Sequence, residues 1–202
     1  LKGRPVIVGG SSRRGLVAAC SYEARHFGVH SAMPVYLALQ LCPDATVISG
    51  DMEAYSRHSH LVTEIIADKA PLFEKTSMDE FYIDATGLDR FFGTFKWAKE
   101  LRHTIIRESG LPISMALSVN KLISKVATAG FKPNAEKQIP AGTEKDFIAP
   151  LAIDKIPMVG KQTAAFLFDM GVRTVATLRA MPLKFLQSAF GKNGISLWNK
   201  AH

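Results

Sequence analysis

Two carboxylates stand side by side in the stretch KTSMDEFYIDATG, residues 75–87: Asp79 and Glu80, flanked by Met78, Phe81, Tyr82 and Ile83. The run reads as extended, partly buried chain, where an ionised carboxylate needs hydrogen bonds, a cation or a metal to compensate its desolvation. Oxygen-only ligation favours magnesium or manganese over zinc. Neighbours on a regular strand point to opposite faces, so both acids reach one ion only if the strand bends or Glu80 reaches around its edge. Asp84 would share the face of Glu80 more naturally. An exposed pair with salt-bridge partners satisfies the same pattern, and the stretch by itself leaves both readings open.

Other residues supply positive charge of the kind that holds phosphate oxygens. In SYEARHFG, Arg25 lies one turn beyond Tyr22 and shares its face if the segment is helical. In SVNKLISK, Lys121 follows a strand end directly. In IPMVGKQTAAFLFDMGVRT, Gly160 is expected to turn the chain where a side chain would obstruct close approach, with Ile156, Val159, Ala164, Leu167 and Met170 as apolar anchors. The helix that follows begins with unpaired backbone N–H groups, a receptor for phosphate reinforced by the partial positive charge at a helix start. Gly160, Lys161, Thr163 and Arg173 are the candidate DNA-backbone contacts, with Arg179 and Lys184 downstream. Such contacts ignore base sequence. A packed helical hairpin with no ligand is the alternative. The charge distribution favours the phosphate reading: residues 151–202 carry seven Lys or Arg against Asp154 and Asp169, while residues 61–150 carry twelve of each sign.

The elements that must position these groups follow from the apolar spacing. RPVIVGG, GLVAAC and TVISG read as strands, and YEARHFGV and MPVYLALQLCP as short helices closed by Gly28 and Pro43. A longer helix is expected from Met52 to about Lys69, and another over TFKWAKELRHTIIRES with Trp97, Leu101 and Ile105 on one stripe. PISMALSV is strand-like, and NKLISKVATAGF is short helix or loop. KPNAEKQIPAG reads as a polar connector and domain boundary. Beyond it, Thr143 and Asp146 have the spacing of a capping box, and the remainder is expected to be helical with no strand of length.

A hydrophobic fraction of 47% over 202 residues gives no reason to expect disorder. No apolar run approaches the ~18 residues of a spanning helix, so no membrane partner is expected. The start lacks a secretory pattern. Cys20 and Cys42 are too few and too isolated for a disulfide framework or zinc site and read as thiols of a reducing cytosol.

Taken together, LKGRPVIVGG, SYEARHFGVHSAMP, LCPDATVISGD, SMDEFYIDATG, ISMALSVNKLISKVAT, KPN and IPMVGKQTAAFLFDMGVRTVATL resemble the Y-family DNA polymerases, the low-fidelity lesion-bypass enzymes, and most of all their bacterial DNA polymerase IV (DinB) branch. The matching stretches run in family order over essentially the whole chain. The resemblance implies an α+β fold: fingers at 1–50, an incomplete palm at 51–130, and at 131–202 a small all-helical thumb containing a helix–hairpin–helix. It implies a template-directed DNA polymerase, a nucleotidyltransferase of DNA repair, acting on primer–template DNA and a deoxynucleoside triphosphate with two Mg2+ ions, Mn2+ being the alternative. Asp79 and Glu80 are then catalytic metal ligands, and Tyr22, Arg25 and Lys121 contact the triphosphate. A bacterial cytoplasmic setting is implied, nucleoid-associated during repair.

Two departures qualify this. Family members begin with a palm strand carrying a further Asp ligand and a ribonucleotide-excluding aromatic, and end with a further DNA-gripping little-finger domain through whose tail a sliding clamp could be met. The chain matches from the LKGRPV segment and stops at His202, so these 202 residues alone are expected to polymerise poorly. Ala19 stands where many relatives have a phosphate-contacting Thr. Gly15, Ala18 and Ala19 are expected to leave room over the nascent base pair. A catalytically silent relative, or a DNA-binding module built on the hairpin, are the rival readings; the second leaves SYEAR and SMDE without a role.

Overall fold

The structure, a computed structural model, describes residues 1–10, 15–88 and 93–202. The architecture is mixed α+β, and the chain divides into two compact units, Leu1–Ser59 and His60–His202.

In the first unit a three-stranded sheet has the order β2–β1–β3, with β1 (Val6–Gly9) in the middle. β2 (Val17–Cys20) pairs with it antiparallel and β3 (Thr46–Ile48) parallel. The short helices α1 (Tyr22–Arg25) and α2 (Val35–Leu41) accompany the sheet, and Ile7, Val17, Ala24, Val29 and Ala38 form the buried centre. A Cβ on Gly15 would lie 2.3 Å from the Gly10 carbonyl oxygen. Close approach of two backbones therefore accounts for this glycine.

The second unit takes up the end of α3 (Met52–Lys69), whose length and position match the expected helix. α4 (Thr94–Ser109) packs Leu101 and Ile105 against Ile65 and Ile66 of α3. Phe73, Phe81 and Ile83 of a hairpin formed by β4 (Phe73–Lys75) and β5 (Phe81–Ile83), together with Trp97, close this cluster. Next comes a strand–helix–strand unit: β6 (Met115–Leu117), α5 (Lys121–Phe131) and β7 (Glu136–Gln138), with β6 and β7 parallel. The helical crossover is what parallel pairing of consecutive strands demands. Of the two alternatives for NKLISKVATAGF the helix is found, over Lys121–Phe131 with Asn120 as its cap, and one expectation is corrected: the polar connector contains a strand, β7. Its main-chain hydrogen bonds to β6 give Glu136–Gln138 strand geometry despite a sequence with no apolar alternation.

The remainder is helical: α6 (Glu144–Ile148), a 3-10 turn at Ile153–Lys155, α7 (Lys161–Asp169), α8 (Val175–Arg179), α9 (Leu183–Phe190) and α10 (Lys192–Ala201). Ile153, Leu167, Val175, Leu178 and Leu186 are its fully buried centre, and Ile123, Val126 and Ala127 of α5 pack into the same cluster. The expected capping box at Thr143 is absent. Its hydroxyl donates to the Pro140 carbonyl at 2.7 Å, and Gly142 N–H instead reaches the Glu144 carboxylate, 3.0 Å to each oxygen. Met170, expected as an anchor, is exposed, and Val172 is the buried residue in that turn. Gly194 is needed for space: a Cβ there would fall 1.9 Å from the Leu186 carbonyl oxygen, because α9 and α10 cross at backbone contact. Among the described residues no helix is long and apolar enough to cross a membrane.

Candidate active site

Asp79 and Glu80 do not lie within a strand. They occupy the turn of the β4–β5 hairpin, where Thr76 N–H bonds the Glu80 carbonyl at 3.0 Å and pairing resumes at Lys75 opposite Phe81. The two-faced alternation that would have separated their side chains therefore does not apply. The expected partial burial is found at Glu80 and over Phe81–Ile83, whereas Asp79 is exposed. Ser77 Oγ donates to Asp79 Oδ1 at 2.7 Å. Lys125 Nζ donates to Glu80 Oε2 at 2.8 Å. That bond is the first cause of a raised Lys125 pKa, which burial partly opposes, so this side chain is an ammonium at every physiological pH. With both side chains about two-fifths exposed (41% and 43%), the pair contributes roughly 0–1 kcal/mol and yields readily to a stronger competitor. Asp84 belongs to a different feature: it accepts from the hydroxyl and N–H of Thr86, which hold its carboxyl below the usual range and close the turn after β5.

Lys121 opens α5, behind the cap in which Asn120 Oδ1 accepts from Ile123 N–H at 2.9 Å. Its ammonium is engaged by the Glu74 carboxylate on β4 and lies 5.4 Å from the centroid of Tyr82. Lys125, the lysine that faces Glu80, is not among the residues expected from the sequence. The available signal was the four-residue spacing in NKLISK, which puts both lysines on one side of a helix, and it went unused because the segment was not read as a continuous helix.

The donor set suits a hard divalent cation. Asp79 Oδ2 and Glu80 Oε1 have no hydrogen-bond partner among the described residues, and oxygen ligands are what magnesium or manganese takes. The described residues contain no cluster of three or more His, Cys, Asp or Glu able to hold an ion.

In the first unit, Tyr22 and Arg25 do share a face. Ser21 caps α1 by accepting from Ala24 N–H at 3.3 Å, and the Arg25 guanidinium carbon lies 5.9 Å from the Tyr22 ring centroid. Arg25 has no carboxylate partner among the described residues, which leaves its fork of N–H donors available for an anion.

At the other end of the second unit, Gly160 is the N-cap of α7, with no side-chain cap, and Lys161 and Thr163 lie in its first turn. A Cβ on Gly160 would meet nothing within 4 Å, and its φ is −75°. No contact among the described residues requires a glycine here, and the cap presents open backbone to solvent. Lys161 and Arg173 are exposed, and the Arg173 carbonyl accepts from Ile153 N–H at 3.1 Å, which ties the chain after α7 to the 3-10 turn. Arg179 is removed from the phosphate set, because its guanidinium donates to the carbonyls of Ala201 at 2.6 Å and Lys145 at 3.2 Å.

Comparison with known proteins gives one consistent answer. Residues 1–129 match the impB/mucB/samB family. The chain is 41% identical over 203 aligned positions to a DNA polymerase IV of Dehalococcoides mccartyi strain CBDB1, covering all of this chain and 52% of that protein. It is 39% identical to a DNA polymerase IV of Shewanella amazonensis, covering all of this chain and 57% of that one. Among solved structures, DinB from Sulfolobus solfataricus superposes with a TM-score of 0.90 at 27% identity, covering 99% of this chain and 60% of that one. An insertion ternary complex of Dbh DNA polymerase gives 0.85 at 26% identity, covering 100% and 61%. The chain thus spans about half the length of the curated relatives it matches.

Proposed function

The chain belongs to the impB/mucB/samB family, and we propose that the protein carrying it is a template-directed DNA polymerase of the error-prone, lesion-bypass kind, to which these residues contribute part of the catalytic core. The observation that carries the reading is the placement of Asp79 and Glu80 on one hairpin turn, each with one carboxylate oxygen unpaired among the described residues, facing the lysine-bearing side of α5. The proposed reaction is attack of a primer 3′ hydroxyl on the α-phosphate of a deoxynucleoside triphosphate, with pyrophosphate leaving. Asp79 and Glu80 would hold magnesium, with manganese as the substitute and two ions as the working number. The chemistry such ions supply when bound is acidification of the 3′ hydroxyl and stabilisation of charge on the triphosphate.

This chain's own cations do the rest. Arg25 offers a bidentate fork and Tyr22 a hydroxyl to phosphate oxygens, and α5 brings positive charge to the carboxylate side through Lys121 and Lys125. The start of α7, with Gly160, Lys161 and Thr163, together with Arg173 beyond its end, would hold duplex backbone without reading bases. The relatives named DNA polymerase IV support this reading, as does the ternary complex that shares the fold.

Primer extension by the intact protein, compared with its Asp79→Asn and Glu80→Gln variants, tests the assignment. Losing a metal-binding carboxylate is expected to lower turnover at least 100-fold for Asp79→Asn, on the order of what removal of a group acting only in the transition state costs. Equal incorporation by variant and parent would end the assignment.

A further inference from the structure

The two sides of the candidate site belong to different hydrophobic clusters. The hairpin that carries Asp79 and Glu80 packs through Phe73, Phe81 and Ile83 onto α3 and α4. Helix α5 packs through Ile123, Val126 and Ala127 into the C-terminal helices. Apolar contact therefore fixes each side against its own neighbours and says little about their mutual register. The links observed between them are polar: Glu74 on β4 with Lys121, and Glu80 in the turn with Lys125, two lysines one helical turn apart meeting two carboxylates of one hairpin.

Of the two links, the one at Lys121 has more holding it. Its ammonium meets the Glu74 carboxylate and also lies over the ring of Tyr82, and Glu74 and Tyr82 are direct cross-strand partners. One lysine thus seats on a carboxylate and an aromatic face that the sheet register places together. Asn120, capping the helix immediately before it, fixes the backbone from which Lys121 extends. Lys125 has Glu80 as its hydrogen-bond partner, with Tyr82 and Asp79 adding weaker Coulombic attraction, and among the described residues no aromatic ring lies against its ammonium as Tyr82 does against that of Lys121.

We propose that Glu74 and Lys121 form a clasp that sets α5 against the β4–β5 hairpin, so that Glu74 is a positioning residue and Lys121 works by holding Glu74 rather than by touching the nucleotide. Lys125 is then the lysine presented to the carboxylate pair, and it can leave Glu80 when a stronger ligand arrives without releasing the helix. This rests on the polymerase reading above and divides the labour of the two lysines within it.

A charge swap in the intact protein separates the possibilities. The measurements are the KM for deoxynucleoside triphosphate, duplex-DNA affinity and the thermal midpoint, for Glu74→Gln, Lys121→Met and the double variant Glu74→Lys with Lys121→Glu. The clasp predicts that each single variant raises the nucleotide KM by about two- to fivefold, the size expected for an exposed pair. DNA affinity and thermal midpoint should stay unchanged, and the double variant should return KM to within about twofold of the parent. If Lys121→Met raises KM while Glu74→Gln does not, and the swap fails to rescue, Lys121 touches phosphate directly and the clasp is wrong. A KM unmoved by either single variant also overturns it, as does a KM that rises only in step with a lost thermal midpoint. Full activity of Asp79→Asn in the same assay would instead remove the underlying site assignment, an outcome visible independently of the swap.

Discussion

Arg102 lies on α4 with 7% of its surface exposed, and it carries a charge the core would otherwise exclude. Its guanidinium donates to the Ile113 carbonyl at 2.8 Å, to the Asn134 carbonyl and side-chain oxygen at 3.0 and 2.7 Å, and to Glu136 at 3.3 Å. That fork ties the approach to β6 and the loop after α5 to a single side chain on α4. Replacing it with Met takes the donor from all of those acceptors, the half-covered Ile113 carbonyl and Glu136 as well as the exposed Asn134, and is expected to cost about 1.5–3 kcal/mol in urea unfolding. Glu136 adds a pH dependence. The hydrogen bond from Lys99 first, then Coulombic attraction from Lys99, Arg102 and His103, holds its carboxyl below the usual glutamate range. A group with a depressed folded-state pKa contributes stability above its unfolded pKa and loses it as pH falls through the folded one. The stability difference between parent and Glu136→Gln is therefore expected to be full at neutral pH and to shrink below pH ~4.3. A constant difference from pH 7 to pH 3 would show that charge is not what Glu136 contributes.

At the scale of elements, the hairpin is where sequence and structure part most usefully. Apolar residues on both sides of Asp79 and Glu80 made the stretch read as one strand. The structure spends Thr76 to Glu80 on a turn, and a turn is the conformation that frees adjacent side chains from facing opposite ways. Period alone could not show this, since Ser77 and Met78 fit either state. The long helices were legible because their apolar stripes persist for several turns: Met52–Lys69 and Thr94–Ser109 have the expected bounds. β7 was not, because Glu136, Lys137 and Gln138 have no apolar face and owe their conformation to a partner strand some twenty residues earlier. The site residues named from residue type and family likeness fall on the hairpin turn, α1, α5 and the start of α7, with Arg173 just beyond the end of α7. What sequence could not supply was the pairing of particular lysines with particular acids, which depends on packing between distant elements.

Two element-scale substitutions follow from geometry. Met158 has φ +73° in the turn before α7 and is 91% exposed, so Met158→Gly relieves a backbone conformation unfavourable to L side chains. It is expected to raise stability by about 0.5–1 kcal/mol, net of the entropy glycine adds to the unfolded chain. A lower unfolding midpoint would contradict that. Asn120→Ala removes the cap of α5 and is expected to cost about 1 kcal/mol, measurable by the same unfolding curve.

For the molecule as a whole, the excess of positive charge in residues 151–202 has a consequence for DNA binding. With Lys161 and Arg173 exposed and engaged with no acid among the described residues, replacing both with Ala should weaken duplex binding about equally for unrelated sequences. It should also flatten the slope of log affinity against log salt by about two, one phosphate contact each. A loss confined to one DNA sequence would contradict backbone recognition.

Asp79 and Glu80 are proposed to meet the same divalent cation, and paramagnetic broadening by Mn2+ reads that directly. In the intact protein with nucleotide and primer–template bound, trace Mn2+ is predicted to erase the side-chain carboxyl signals of Asp79 and Glu80 before those of Glu74 and Asp84. Carboxyl signals of Asp79 and Glu80 that stay sharp while Mn2+ supports primer extension would contradict it.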